Sequence, residues 1–302
     1  MDNVGRVTDH LETGTTEGYM CLSLVPKPDG ARFHVDESGE YWRMYRFLEG
    51  TRSYDSIPSV DHARQAAAEF GRFQTLMRDL SGPRLQETIV DFHNTQARYA
   101  QFHEAHSTDA HDRARHCIPE IEWALDNEQC AGSLLALQES GEIPERITHN
   151  DTKINNVMFD RETDKAVCVI DLDTVMPGLA LYDFGDMVRT ATTPATEDET
   201  DLSGITMRMD YYEALVDGYL GATGNFLSEA EVENLAVCGK IITIETGVRF
   251  LSDYLSGDQY FRIHRPDQNL DRCRVQFALA ASIDEQLSDM QRITTAALRR
   301  RR

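Results

Sequence analysis

The feature that most constrains the fold is a short strand-forming stretch between two long helical stretches. Residues 147–175 read ITHNDTKINNVMFDRETDKAVCVIDLDTV, with apolar runs at 157–159 and 166–170 on either side of a polar turn at 161–164. Two apolar runs separated by turn-forming residues predict an antiparallel hairpin. A hairpin inserted in a helical region predicts segregated α+β structure, not the alternating strands and helices of a doubly wound sheet.

The chain before this hairpin begins with strands and continues with helices. The first dozen residues predict a short helix. The runs MCLSLV, ARFHVD and EYWRMYRFLE, separated by PKPDG and DESGE, predict an antiparallel meander from residue 20 to about 49, with a tight turn at Asp29 and Gly30. After Ser59, a candidate N-cap, apolar residues at three- and four-residue steps predict a helix to about residue 80.

The remaining helices are predicted from the same periodicity. Two cover about 85–107 and 111–139, and Pro119 and Gly132 interrupt the second of them. The stretch 205–298 is helical again, with a loop near 257–269.

Composition and charge exclude several classes of function. The 302 residues carry a net charge of −21, which argues against a nucleic acid or an anionic membrane surface as partner. The six cysteines show no metal-ligand spacing, so we expect reduced thiols in a cytoplasmic protein and no zinc site. The N-terminus has no secretory signal, and no apolar run is long enough to span a bilayer. The oligomeric state is not predicted.

The polar residues around the hairpin predict phosphoryl transfer. His149, Asp151 and Asn156 form an H-x-D-x-x-x-x-N pattern, and Asp171 follows the second apolar run of the hairpin. Phosphoryl transfer needs a carboxylate to orient the attacking hydroxyl and hard oxygen ligands for Mg²⁺. We therefore expect Asp151 to be the base, and Asn156 and Asp171 to be the magnesium ligands.

Two neighbouring residues are expected to support this loop, and one to act on charge. His149 taken alone is an ordinary buried histidine, and we expect it to fix the loop. Asp183 lies in a D-F-G-like string, but Asp171 already fills the metal position, so we expect Asp183 to brace the loop or cap a helix. Lys153 is expected to neutralise the transferred phosphate or to contact the acceptor.

Longer strings resemble one family. The runs HNDTKINNVMFD and VIDLDTVMPGLALYDFGDMVR, with YRFLEGTRSYD upstream and ETGVRFLSDYLSGDQYF downstream, resemble bacterial N-acetylhexosamine 1-kinases of the aminoglycoside phosphotransferase and choline kinase superfamily. The resemblance implies a protein-kinase-like, two-lobed α+β fold. Residues 1–50 would form a truncated, strand-rich N-terminal lobe with the hinge, and residues 51–302 a large helical lobe that carries the hairpin.

The resemblance also implies an activity, which is the ATP- and Mg²⁺-dependent phosphorylation of the anomeric hydroxyl of N-acetylglucosamine or N-acetylgalactosamine. Asp151 would be the base, with Asn156 and Asp171 on magnesium. The residues implied to contact the sugar are Lys153, Thr174, Arg249 and Tyr260.

The nucleotide side departs from the family pattern. Kinases of this family begin with strands and a glycine-rich loop over the ATP phosphates, whereas no Gly-x-Gly precedes YRFLEG here. We expect either a start assigned too late or a fragmentary gene, and weak binding of ATP at the hinge formed by Phe47, Leu48 and Glu49.

Two alternatives therefore stay open. One is a weakly active or non-catalytic pseudokinase that only binds a sugar or a partner. The other is a kinase for a different small alcohol, such as an aminoglycoside, choline or homoserine. Arg249, Thr174 and Lys153 suit a neutral sugar better than an amine, because cationic acceptors call for acidic or aromatic pockets.

Overall fold

The N-terminal region contains a helix and very short strands. The structure is a computed structural model that describes residues 1–14 and 20–301. Helix α1 (Asp2–Gly14) confirms the predicted first helix and buries Val4, Val7 and Leu11. The meander is antiparallel as predicted, but β1 (His34–Val35) and β2 (Tyr41–Trp42) are only two residues long.

The strands are short because little of this region is covered. One further bridge joins Leu24 to Tyr45, and Leu22 belongs to the main core. In contrast, the side chains of Trp42 and Met44 are 61% and 66% exposed. All the residues of β1 and β2 are exposed, so these strands gain little from burial and regular pairing ends early.

The predicted hairpin is present and forms the centre of a three-stranded sheet. Strand β5 (Val157–Asp160) pairs antiparallel with β6 (Ala166–Val169), with an irregularity between Met158 and Phe159. Strand β3 (Thr51–Arg52) pairs with the other edge of β5, so the sheet order is β3-β5-β6. The chain that leaves the N-terminal region is therefore fastened directly to the hairpin.

A second ribbon, which the sequence did not predict, closes the segment that carries the hairpin. Strand β4 (Arg146–Thr148) pairs with β7 (Met176–Gly178). A Cβ atom on Gly178 would lie 2.4 Å from Thr148 Oγ1, so the close approach of the two strands requires glycine. The polar loop His149–Asn156, called the HND loop below, begins immediately after β4.

The helices of the core pack tightly behind the hairpin. Helix α2 (Val60–Met77) begins at the predicted N-cap Ser59 and lies against α7 (Met209–Thr223). The helices meet at glycine, since a Cβ on Gly218 would lie 2.0 Å from Arg64 O. Helix α6 (Ala180–Ala191) is almost completely buried and was not predicted as an element; it contains Asp183, which was expected to brace the loop or to cap a helix.

Other helix predictions were right in kind and imprecise in extent. The helix predicted over 85–107 is only α3 (Thr95–Thr108), because Asn94 caps it and the preceding residues are irregular. The stretch 111–139 contains α4 (Ile118–Asp126) and α5 (Ser133–Glu139), which begin near the predicted breaks at Pro119 and Gly132.

The C-terminal helices confirm the last prediction. They are α8 (Glu229–Glu233), α9 (Leu235–Leu255) and α10 (Gln268–Arg301), with the predicted loop between α9 and α10. Among the described residues, no helix has the length and apolar character needed to cross a membrane.

Candidate active site

Asp183 of α6 holds the start of the HND loop. Its buried carboxylate accepts hydrogen bonds from the backbone N–H groups of His149 (3.0 Å) and Asn150 (2.7 Å). It also accepts a hydrogen bond from Gln74 Nε2. The other side-chain atom of this amide, Gln74 Oε1, accepts a hydrogen bond from the Tyr219 hydroxyl. Side chains from α2, α6 and α7 thus fix the loop backbone through one carboxylate.

A second buried carboxylate holds the middle of the loop. Asp186 Oδ2 accepts a hydrogen bond of 2.8 Å from Thr152 N, while Oδ1 binds the guanidinium of Arg189 at 2.7 and 2.9 Å. Burial opposes the charge of Asp186, but the cations Arg189 and Lys153 outweigh it and hold the pKa of this carboxyl below its ordinary value. The loop therefore rests on two carboxylates that are one turn apart on α6.

Two further contacts connect the loop to the end of the hairpin. His149 packs edge-on against Phe70, and its Nε2 lies 2.9 Å from Ile170 O. Thr174 Oγ1 donates to His149 O at 2.6 Å, and Asn150 Nδ2 donates to Thr174 O at 2.9 Å. The segment that follows Asp171 is in this way bonded to the residues that precede Asp151.

The side chains of Asp151, Lys153 and Asn156 meet in the loop. Asp151 Oδ1 lies 2.8 Å from Lys153 Nζ, and Asp151 Oδ2 accepts a hydrogen bond of 3.0 Å from Asn156 Nδ2. A quarter of the Asp151 side chain remains exposed, so a hydroxyl from a bound molecule can reach it. Burial opposes the charge of Lys153, but Asp151 outweighs it and raises the pKa of the ammonium group.

Oxygen atoms of the Asn156 and Asp171 side chains that are not used within the loop suit a hard cation. Because Asn156 Nδ2 faces Asp151, its Oδ1 remains without a hydrogen-bond partner in the described part of the chain. The Ile170 N–H donates to Asn156 O, so Asp171 follows a residue that is bonded to the backbone of Asn156. Asp171 is exposed, takes the left-handed conformation with φ 61°, and makes no ion pair with a described residue.

These donors match the way proteins bind Mg²⁺. No group of three or more His, Cys, Asp or Glu in the described residues could hold a metal ion without help. Mg²⁺ is usually bound through one or two carboxylates together with substrate phosphates and water. Asn156 and Asp171 therefore fit Mg²⁺ that arrives with a nucleotide.

Arg249 and Tyr260 share a cavity of about 530 Å³, called the Arg249 cavity below. The Arg249 guanidinium lies over the rings of Phe92 and Phe261, at 4.9 and 5.5 Å from their centres. Arg98 of α3 lines the same cavity. This volume is in the usual range for a small-molecule site.

Lys153 lines a different cavity, also of about 530 Å³, together with Asp55, Arg189 and Gln276. Thr174 lies at neither cavity and uses its hydroxyl in the loop. Of the four residues implied to contact the sugar, the structure thus brings only Arg249 and Tyr260 into one cavity.

The proposed hinge residues lie at the edge of the N-terminal region. Phe47 is 81% exposed, Glu49 is exposed, and Leu48 packs partly against the core. Thr51 Oγ1 donates to Leu48 O at 2.7 Å and fixes the turn that follows. A role for these residues in nucleotide binding stays a prediction.

Sequence reasoning missed several residues that the fold brings to the site. Gln74 and Arg98 lie in helices where their periodic spacing gives no sign of a role, and His93 has no motif around it. Asp186 follows directly after the D-F-G-like string, so an attempt to place that string on a helix would have found it.

Comparisons with known proteins identify the family and the fold of the chain. The model of the family described as "APH: Phosphotransferase enzyme family" matches residues 10–229. A solved aminoglycoside phosphotransferase from Alicyclobacillus acidocaldarius is similar with a TM-score of 0.58 and 13% identity, over 96% of this chain and 82% of that one. A microcompartment-associated aminopropanol kinase is similar with a TM-score of 0.55 and 15% identity, over the same shares of the two chains.

A Plasmodium vivax ethanolamine kinase is also similar, with a TM-score of 0.53 and 12% identity over 91% of this chain and 72% of that one. At these identities the structures bear on the fold alone, and they confirm the predicted two-lobed α+β fold with a helical C-terminal lobe. The chain therefore belongs to the phosphotransferase enzyme family.

Proposed function

We propose that this enzyme transfers phosphate from ATP to the anomeric hydroxyl of an N-acetylhexosamine and forms the sugar 1-phosphate. Asp151 orients the hydroxyl and accepts its proton, because its carboxylate is fixed by Asn156 and is partly open to solvent. Lys153 neutralises charge next to this carboxylate. Asn156 and Asp171 would hold Mg²⁺, which when bound offsets the charge of the ATP phosphates.

The observation that carries the choice of acceptor is a pair of arginines without carboxylate partners. Arg98 and Arg249 both line the Arg249 cavity, and neither makes an ion pair with any described residue. Burial and the nearby charge of Arg249 lower the pKa of Arg98, which shows how close the two cations are. Such a site attracts hydrogen-bond acceptors and repels cations.

The carboxylates at this cavity do not cancel that effect. Asp253 accepts hydrogen bonds from the backbone N–H groups of Gln259, Tyr260 and Phe261, at 2.8 to 3.0 Å, so its oxygens are occupied. Glu104 also lines the cavity, but it is exposed to solvent, which weakens its field. Because neither carboxylate is paired with the arginines, we expect the guanidinium groups to bond an acetamide carbonyl in preference to an ammonium group.

The aromatic side chains of the cavity suit a sugar ring. Tyr260 and Phe261 both line the cavity, and Tyr260 is 65% exposed. Aromatic rings pack against the apolar C–H face of a pyranose while polar side chains bond its edge. The amine-bearing acceptors named for the similar aminopropanol and ethanolamine kinases lack such a face.

The test is a matched pair of acceptors, N-acetylglucosamine and glucosamine, which differ in an acetamide against an ammonium group. With radiolabelled ATP and Mg²⁺, we expect phosphorylation of N-acetylglucosamine or N-acetylgalactosamine, and kcat/KM about 100-fold lower for glucosamine because like charges meet. The panel also includes choline, ethanolamine, homoserine and an aminoglycoside.

Two arginine variants test why the enzyme would prefer the N-acetylhexosamine to glucosamine. We expect Arg98→Gln and Arg249→Gln each to lower kcat/KM for the N-acetylhexosamine and to narrow its ratio to glucosamine. Arg115→Gln, which changes a surface arginine of 64% exposure, is the matched control. Activity on amines but not on hexosamines would overturn the proposed acceptor, and failure to phosphorylate any of them would favour a pseudokinase.

A further inference from the structure

A buried histidine joins the HND loop to the helix that carries Arg249. His93 precedes the N-cap of α3, and its side chain is only 5% exposed. Its Nδ1 lies 2.8 Å from Glu245 Oε1 on α9, and its Nε2 lies 3.3 Å from Asn150 O in the loop. Asn150 is the residue before Asp151, and Glu245 lies one turn before Arg249.

Both ring nitrogens of His93 face acceptors. A carboxylate and a carbonyl can only accept, so the ring satisfies both of them when each nitrogen carries a proton. Glu245 is completely buried, and its second oxygen accepts a bond of 2.6 Å from Thr95 Oγ1. Burial opposes the charge of Glu245, but His93 and Thr95 outweigh it and lower the pKa of this carboxyl, in agreement with a charged pair.

The surroundings make this pair the link between acceptor cavity and base. The His93 ring lies 4.6 Å from the ring of Phe92, on which Arg249 rests, and 5.2 Å from the ring of Tyr182 on α6. The charged groups nearest to the pair are Asp186, Arg249 and Arg98. A displacement of α9 is therefore transmitted to the backbone at Asn150 through two hydrogen bonds.

We propose that His93 and Glu245 are positioning residues, which set the place of Asp151 relative to the acceptor bound at Arg249. This inference rests on the proposed function in one respect, the identity of the acceptor. The contact that His93 makes with the loop backbone does not depend on which acceptor is bound.

The first test compares two histidines on the same part of the chain. We expect His93→Gln to lower kcat about 10- to 100-fold with KM for ATP unchanged, because a loop displaced by a fraction of an ångström loses near-attack geometry. His103→Gln is the matched control, since His103 on α3 forms an exposed pair with Glu128 at 2.9 Å that contacts no part of the site. We expect no change in kcat for this control.

The second variant avoids leaving Glu245 as a buried charge without a partner. In His93→Gln/Glu245→Gln both charges are removed together, which is tolerated better than removal of one. We expect the double variant to fold and to retain the low kcat of His93→Gln, with an added increase in KM for the acceptor because Arg249 follows Glu245 on α9. A kcat equal to wild type in this double variant would overturn the proposal.

A readout independent of the acceptor separates this inference from the proposed function. Hydrogen–deuterium exchange of the peptide that covers 149–156 should become faster in both His93 variants and stay unchanged in His103→Gln. If no acceptor is phosphorylated but exchange behaves in this way, the proposed function fails and the positioning role stands. Unchanged exchange in the folded double variant would refute the positioning role whatever the enzyme phosphorylates.

Discussion

The HND loop and the N-terminal region from residue 20 to 52 differ sharply in how firmly they are held. The loop rests on Asp183, Asp186 and His93, all buried, and its backbone groups bond to side chains of α6 and to His93. The N-terminal region has two-residue strands and leaves Trp42, Met44 and Phe47 more than half exposed.

This difference shows that the HND loop is rigid, whereas the N-terminal region is held more loosely. Transfer requires the base to be fixed within a few tenths of an ångström, and a network of buried hydrogen bonds provides that. The exposed aromatic side chains near the hinge have large apolar surfaces that a bound nucleotide base would cover. We therefore expect the acceptor side to be preorganised and the nucleotide side to gain order on binding.

The largest effect is expected at Asp151 in the HND loop. Asp151→Asn keeps the shape of the side chain and one acceptor oxygen but removes the proposed base and its ion pair with Lys153, so kcat should fall about 1,000-fold. Thermal unfolding should change little, because the lost ion pair is partly exposed. The exposed Asp61→Asn on α2 serves as control, and an Asp151→Asn enzyme with undiminished turnover would mean that the base lies elsewhere.

The next prediction removes the charge of Asp183, which holds the loop backbone, and leaves Asp151 unchanged. Asp183→Asn replaces a charged acceptor of three hydrogen bonds and should lower the free energy of unfolding by about 3 kcal/mol. The variant should also lose kcat, since the loop backbone is freed. Urea unfolding and steady-state kinetics measure the two effects, and normal stability would show that the loop is held by other contacts.

A smaller effect is expected on the nucleotide side. Phe47→Ala should leave the thermal unfolding midpoint unchanged, because 81% of this side chain is exposed in the protein. If the ring covers the adenine, KM for ATP should rise about tenfold through the lost apolar contact, with kcat unchanged. An unchanged KM for ATP would show that Phe47 does not contact the nucleotide. The expectation that the N-terminal region gains order on nucleotide binding would then lose its support from this residue.

The smallest effect concerns the junction between the two regions. Hydrogen bonds from Tyr54 and Arg52 lower the pKa of Asp164 to about 2, from an ordinary 3.8. A lowered pKa in the folded state gives stability that is complete above pH 3.8 and is lost as the pH falls through about 2. The difference in urea midpoint between wild type and Asp164→Asn should therefore narrow on acidification. A constant difference would contradict this linkage.

The sequence predicted those parts of the site that are contiguous in the chain. The order of Asp151, Asn156 and Asp171 around one hairpin follows from a single stretch, so local pattern was sufficient. The α+β class was predicted for the same reason, and Ser59 marked the start of α2 correctly.

What could not be predicted depends on distant packing. Nothing in the sequence pairs β4 with β7, or places His93 between Asn150 and Glu245, because these contacts join residues far apart in the chain. The missed helix α6 shows a further limit. Only the role of Asp183 was predicted in this stretch, whereas burial of nearly all its residues makes it a core helix.

The ribbon formed by β4 and β7 has a consequence for how such an enzyme changes its acceptor. It ties the two ends of 146–178 together, and the groups expected to move phosphate all lie inside this closed segment. The Arg249 cavity is built by residues outside it, from α3, α9 and the loop after α9. If the acceptor binds in this cavity as proposed, substitutions that reshape it can accumulate while the transfer chemistry stays intact, so new acceptors can arise without a new reaction.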